Sequence, residues 1–371
     1  MTPVTPPSRE MERALALARQ SLFTSSPNPH VGCVITTADG RALGEGFTQA
    51  AGQAHAEVMA LQDAKAKGHD VRGATAWVTL EPCAHVGRTG PCCDALAAAG
   101  IARVVASQVD PNPKVAGQGL ARLRAVGIEV LTGPGADESR ELNIGFFSRM
   151  VRKTPWVRLK VAASLDGTTA LENGQSQWIT SELARTDGHA WRARACAILT
   201  GIGTVLEDDP RLDVRLVDTP RQPVAVVVDS RLELPPQARL LQAGRPVWIY
   251  TAVHDTLKRS ALEARGATVI PMPGAGGKVD LAAMLGDLGR REINELHVEA
   301  GHKLNGSLVR EGLVDEFLVY LAPTLLGAGR GMAALGPLDS LARSTPLSFT
   351  SVQAVGPDLR ILARIPGRDR F

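Results

Sequence analysis

Aromatic residues make up only 4 % of the 371, the net charge is just +3, and the five cysteines are an odd number. Residues 1–148 hold 13 Lys and Arg against 14 Asp and Glu, a net of −1, and few aromatics. A nucleic-acid binder needs a basic footprint and stacking platforms, so that class is not expected. Long apolar runs are missing too. The longest aliphatic run, Val224 to Val228, is far too short to span a bilayer. Met1 to Pro7 hold three prolines and no apolar stretch, so no secretory leader is expected. Two or three of the cysteines cluster as metal ligands do, which does not suggest a disulfide framework. A cytoplasmic protein without membrane contact is the consistent reading. The length exceeds what one core usually supports, which predicts two domains.

What is present is more specific. His55-Ala56-Glu57 is followed by Pro82-Cys83 and Pro91-Cys92. Zinc held by one imidazole and two thiolates keeps a fourth position open for water. Its charge lowers the pKa of that water from ~15.7 to roughly 7. Glu57 then suits a proton shuttle beside the metal, as in zinc deaminases of bases and nucleosides. Those enzymes usually carry Pro-Cys-x-x-Cys, whereas here eight residues separate Cys83 from Cys92. Gly87, Gly90 and Pro91 make that stretch a loop, and closing it is entropically cheap. Pro91 to Leu96 reads as a helix start, where the helix dipole favours a thiolate. A structural zinc site would be closed by a fourth ligand, for which His85 and Cys93 are candidates; Glu57 has no role there. Cys93 is also the rival of Cys92 as ligand.

The first half alternates helix and strand. Residues 8–22 have helical spacing with Ser8 as N-cap. Strands are expected at 31–36, around Leu43, and at 76–80, 103–107 and 129–131, with Asp39-Gly40 as a hairpin turn. Helices are expected at 55–67 and 92–99. This predicts a three-layer α/β domain over residues 1–149. A second α/β domain, 150–371, has strands expected at 157–162, 196–200, 224–229, 247–250, 268–270, 295–299 and 316–322. Three glycine-rich turns follow its strands: Gly201-Ile202-Gly203-Thr204, Gly301 to Ser307, and Leu326 to Gly331. Leu206 breaks the full G-x-G-x-x-G pattern, so a nucleotide site on a fold other than the Rossmann type is expected. Cys33 and Cys196 read as buried apolar residues.

Over nearly its whole length the chain resembles the bifunctional riboflavin-biosynthesis deaminase/reductases. The first-half matches are Pro27 to Cys33, Gly52 to Val58, Thr79 to Thr89, Cys92 to Leu96 and Asp110 to Pro113. The second-half matches are Ala163 to Gly167, Ser176 to Thr180, Asp208 to Pro210, Val228 to Ser230 and Val298 to Gly301. The wide cysteine spacing is that family's variant. The resemblance implies a cytidine-deaminase-like domain followed by a dihydrofolate-reductase-like one. It implies hydrolytic deamination of 2,5-diamino-6-ribosylamino-4(3H)-pyrimidinone 5′-phosphate, then reduction of the ribosyl group to ribityl by NADPH.

Carried over by position, the resemblance implies that His55, Cys83 and Cys92 hold zinc and that Glu57 moves protons. Asn28 would bond the pyrimidine, or merely serve its turn. NADPH contacts are implied at Ala162, Trp178, Thr204, Asp208, Ser230 and Gly301 through His302, Lys303, Leu304, Asn305, Gly306 and Ser307. Contacts to the ribosyl substrate are implied at Ser176, Arg192, Leu212, Arg215 and Glu299; a guanidinium suits its phosphate. Lys160 would help open the ribose ring, or is a solvated strand-edge charge. Trp178 has ordinary core as its alternative, Asp208 a turn, and Lys303 simple exposure. The partner of the cofactor 2′-phosphate is not evident. The oligomeric state stays open, a homo-oligomer included. A tRNA-editing type of deaminase and a non-catalytic protein with structural zinc are the rival readings.

Overall fold

The computed structural model describes residues 7–84, 90–113 and 115–371, and the chain divides into two compact units, Met1–Arg152 and Lys153–Phe371. His85 and the rest of the 85–89 stretch lie outside the described residues.

In the first unit α1 (Arg9–Arg19) starts at Ser8, whose side chain accepts a hydrogen bond from Met11 N. Strands β1 (Gly32–Thr36) and β2 (Ala42–Phe47) form a hairpin. They are followed by α2 (Ala56–Ala66), β3 (Thr75–Val78), α3 (Cys92–Ala98), β4 (Arg103–Ala106), α4 (Gln118–Ala125), β5 (Glu129–Thr132), α5 (Ala136–Leu142) and α6 (Ile144–Arg152). The sheet order is β2-β1-β3-β4-β5, antiparallel around β1 and parallel from β3 to β5. Gly32 lies opposite Phe47 and Cys33 opposite Gly46, so Gly32 and Gly46 face opposite sides of the sheet. A Cβ on Gly32 would sit 1.9 Å from Ala14 O of α1, and one on Gly46 2.5 Å from Ala56 O of α2. Each face thus accepts a helix backbone at close range, which gives the three layers. The boundary expected after residue 149 falls inside α6. That helix buries Ile144, Phe146 and Phe147 and continues to Arg152, so the division comes three residues later than the sequence suggests.

The second unit begins with β6 (Trp156–Ser164), β7 (Thr168–Leu171), α7 (Glu182–Arg194), β8 (Ala197–Gly201), α8 (Ile202–Asp208) and β9 (Val224–Val228). It continues with β10 (Val247–Thr251), α9 (Thr256–Glu263), β11 (Ala267–Pro271), α10 (Leu281–Arg290), β12 (Glu295–Val298), α11 (His302–Arg310), β13 (Glu316–Ala322), β14 (Gly329–Gly331), β15 (Ser348–Val355) and β16 (Asp358–Arg364). Nine strands form one sheet, β11-β10-β9-β8-β12-β6-β13-β16-β15. It is parallel from β11 to β13, and β16 runs antiparallel to both neighbours. The sequence reading missed β7, β14 and the β15–β16 hairpin. Six of the eight β15 residues are exposed, so no buried alternation marks it. Beneath the apolar core, Arg158 of β6 is bonded to Glu295 at 2.7 Å and Glu316 at 2.5 Å, all three buried.

Candidate active sites

Three separated segments converge in the first unit. His55 is the N-cap of α2, Cys92 opens α3, and Cys83 lies in the connection from β3 to α3. His55 Nδ1 lies 3.7 Å from Cys83 Sγ and 3.4 Å from Cys92 Sγ. All three ligand atoms lie within 4.8 Å of one another. A tetrahedral zinc with bonds of ~2.0–2.1 Å to nitrogen and ~2.3 Å to sulfur would space those atoms about 3.6 Å apart. The donor set and its spacing therefore fit zinc. Cys93 is not part of the cluster: its Sγ lies 3.6 Å from Asp94 Oδ1, and its N–H donates to Cys83 O. That leaves Cys92 as the second sulfur among the described residues.

The charges suit a metal site. The Cys83 thiol is pushed down to about 4, chiefly by the hydrogen bond from Cys92 and then by His55. The Cys92 thiol is raised, chiefly by its hydrogen bond with Cys83 and then by burial. Glu57 sits in the first turn of α2, only 3 % exposed. Burial first, then the Cys83 charge, pushes its carboxyl up to about 7. A carboxyl so poised exchanges protons readily near neutrality. Gln53, Ala54, Pro91 and Asp94, which flank the two helix starts, help line a cavity of about 620 Å³. Asn28 closes a turn through its N–H to Ser25 O at 2.9 Å.

The second unit has a cavity of about 270 Å³ between the middle of β6, the end of β12, α8 and the start of α11. It is lined by Lys160, Ala162, Ser176, Trp178, Thr204, Asp208, Glu299, Gly301, His302 and Asn305 among the residues expected from sequence. Trp178 is 66 % exposed, with the Arg185 guanidinium 4.5 Å from its ring centroid, so it is not core. Lys160 is half-buried in a central strand, with burial depressing its pKa and Glu299 opposing that, so it is not an edge charge. Asn305 donates to Met332 O at 2.9 Å, while its buried Oδ1 has no hydrogen-bond partner. That orphaned acceptor, a helix beginning at Gly301 and the open Trp178 ring fit an extended nucleotide cofactor.

Other expected residues lie elsewhere. Leu304 packs on the apolar core, Ser307 Oγ donates to Lys303 O, and a Cβ on Gly306 would meet Ala334 O at 2.3 Å. Helical geometry turns those positions of α11 away from the cavity. Lys303 is exposed, and Ser230 Oγ accepts from Val279 N at 3.1 Å. Leu212 is buried. Arg215 is bonded to Asp213 at 2.7 Å. The Arg192 guanidinium is spent on Glu299, at 2.5 and 2.8 Å, and on Asp213 O, so it reaches the cavity only through Glu299. Arg330 and Glu207, an ion pair at 2.7 Å, line the cavity but were not singled out from sequence. The glycine-rich loop around Arg330 was their only signal.

Residues 5–108 match the family described as the cytidine and deoxycytidylate deaminase zinc-binding region, and residues 155–361 match the RibD C-terminal domain. The chain is 47 % identical over 362 residues to the riboflavin biosynthesis protein RibD of Escherichia coli, covering 94 % of this chain and 96 % of that one. Its structure is similar to that of Acinetobacter baumannii RibD, with a TM-score of 0.86, 39 % identity, and coverage of 96 % and 97 %. A Thermotoga maritima diaminohydroxyphosphoribosylaminopyrimidine deaminase/5-amino-6-(5-phosphoribosylamino)uracil reductase gives a TM-score of 0.84 at 33 % identity, with coverage of 96 % and 97 %.

Proposed function

The chain belongs to the RibD family of riboflavin biosynthesis proteins, and on that premise we propose which residues carry the two reactions of this bifunctional enzyme. It is a zinc-dependent pyrimidine deaminase and an NADPH-dependent reductase, a cytidine-deaminase-like unit followed by a dihydrofolate-reductase-like one. Met1–Arg152 houses the deaminase and Lys153–Phe371 the reductase.

In the first step 2,5-diamino-6-ribosylamino-4(3H)-pyrimidinone 5′-phosphate loses an exocyclic amine as ammonia. His55, Cys83 and Cys92 hold the zinc, which when bound supplies a water acidic enough to attack at neutral pH. Glu57 accepts a proton at its carboxylate and returns it to the departing amine. Its burial raises the pKa of that carboxyl, which favours uptake of the proton. Asn28 orients the pyrimidine.

In the second step the opened ribosyl carbon is reduced, and NADPH, when bound, would supply the hydride. Trp178, Thr204, Asp208 and the start of α11 hold the cofactor, while Ser176 and Glu299 hold the substrate. Lys160 gives a proton to the ribose ring oxygen as the ring opens. Burial depresses the Lys160 pKa, and Glu299, gripped by Arg192, opposes that shift. The enzyme acts in the cytoplasm on a small phosphorylated pyrimidine, not on nucleic acid or a membrane. Among the described residues no helix is long and apolar enough to cross a bilayer.

The observation that carries the reading is the His55–Cys83–Cys92 cluster at zinc spacing with buried Glu57 beside it. The test is incubation of the purified chain with the diamino substrate, with and without NADPH. Ammonia release should need no NADPH, and NADPH oxidation should follow it. A metal-free, fully active deaminase would sink the assignment.

A further inference from the structure

Two residues before Cys83, Glu81 is 3 % exposed and accepts four backbone hydrogen bonds. Oε2 takes them from Asp110 N at 3.1 Å and Gly117 N at 2.8 Å, and Oε1 from Gly119 N at 2.8 Å and Leu120 N at 3.2 Å. The donors lie between residues 110 and 120, the last two of them in the first turn of α4. Hydrogen bonds to an ionised acceptor are about twice as strong as neutral ones, so this carboxylate is the centre around which that segment folds. The approach is close: a Cβ on Gly119 would lie 1.9 Å from Pro82 O. The segment therefore lies directly against the residue preceding Cys83.

The same segment reaches the other sulfur. Arg122 of α4 donates to Asp94 of α3 at 2.8 Å and to Ala84 O at 3.4 Å. Asp94 follows Cys92 by two residues on α3. Glu81 is thus tied to Cys83 through its own chain and to the Cys92 helix through α4.

We propose that Glu81 is a positioning residue of the deaminase site, whose carboxylate gathers the 110–120 segment and so sets the separation of the two cysteine-bearing segments. This rests on the reading of His55, Cys83 and Cys92 as zinc ligands. Glutamine at this position keeps the shape, but its amide NH2 points at backbone N–H donors instead of accepting from them. Outer residues that orient metal ligands typically change metal affinity 10–100-fold.

The test is the full-length Glu81→Gln variant, with zinc affinity measured by competition against a chromophoric chelator at a temperature where the chain is folded. Affinity should fall about 10–100-fold, deamination should be lost at low zinc and recover with added zinc, and the reductase should be unchanged. A merely stabilising Glu81 would lower the melting temperature and leave the zinc constant alone, which overturns the proposal. Should Glu81→Gln fail to fold, Arg122→Ala cuts the same path at an exposed ion pair. Its zinc affinity should fall about two- to fivefold, and no change there overturns the proposal as well. Cys83→Ser is the control for the underlying reading: if it retains stoichiometric zinc, the ligand assignment fails and not the role of Glu81.

Discussion

The two units present their chemistry in opposite ways. In the first, three side chains of unusual type meet at one point, with His55 Nδ1 within 3.7 Å of both sulfurs. In the second, a cavity is assembled from strand residues, a helix start and loops, and ordinary residue types line it. A metal selects its ligands by donor atom, so substitution is barely tolerated and the residues stand out. A nucleotide is recognised largely by shape and backbone, which many sequences supply. Loss of one group should therefore abolish the first activity and only weaken the second.

The largest expected effect is Glu57→Gln. Zinc should stay bound while the deamination rate falls about 10²–10⁴-fold, with NADPH oxidation on the aminouracil product unchanged. Zinc analysis and two separate assays check this; loss of both activities in a folded variant would deny the independence of the sites. Arg192→Ala should come next. It takes the bidentate partner from Glu299, a pair only 15 % and 14 % exposed, at a cost of about 3 kcal/mol. Thermal melting of the chain and the KM of the reductase substrate should both report it, and the deaminase should not. Trp178→Ala removes an exposed ring that packs on no core, so stability should hardly change. The KM for NADPH should rise about tenfold, some 1.4 kcal/mol, with deamination unaltered.

The smallest effect is a pH dependence confined to the second unit. His189 is buried, and burial followed by Arg192 and Arg215 pushes its pKa from 6.5 down to about 4. The unfolded chain then binds the extra proton first. Stability is fully present above pH 6.5 and is lost as the pH falls from there towards 4. The loss is on the order of 1 kcal/mol after allowance for solvent screening. Melting curves of wild type and His189→Gln should diverge in that window; parallel curves would remove His189 as the cause.

The difference in legibility follows from the same physics. His55, Glu57, Cys83 and Cys92 were readable because each needs its own donor chemistry. Strands such as Val224–Val228 were readable because a strand covered on both faces is uniformly apolar. The β15–β16 hairpin escaped because β15 is exposed along most of its length and shows no buried period. Of the turn expected to cradle the cofactor, Gly301, His302 and Asn305 line the cavity. Leu304, Gly306 and Ser307 do not, because a helix distributes successive residues around its axis. Arg192 was expected at the substrate phosphate because a free guanidinium suits one, and its engagement by Glu299, 107 residues away, leaves no local trace.

Residue types and their order were enough to identify the family, the two chemistries and a candidate ligand set in which Cys93 still rivalled Cys92, since those depend on which atoms the chain carries. Which sulfur joins Cys83, which basic groups are already paired, and how Glu81 binds the 110–120 segment emerged only on folding. Those are distances between remote segments, and a linear chain specifies them only through the packing of the whole unit.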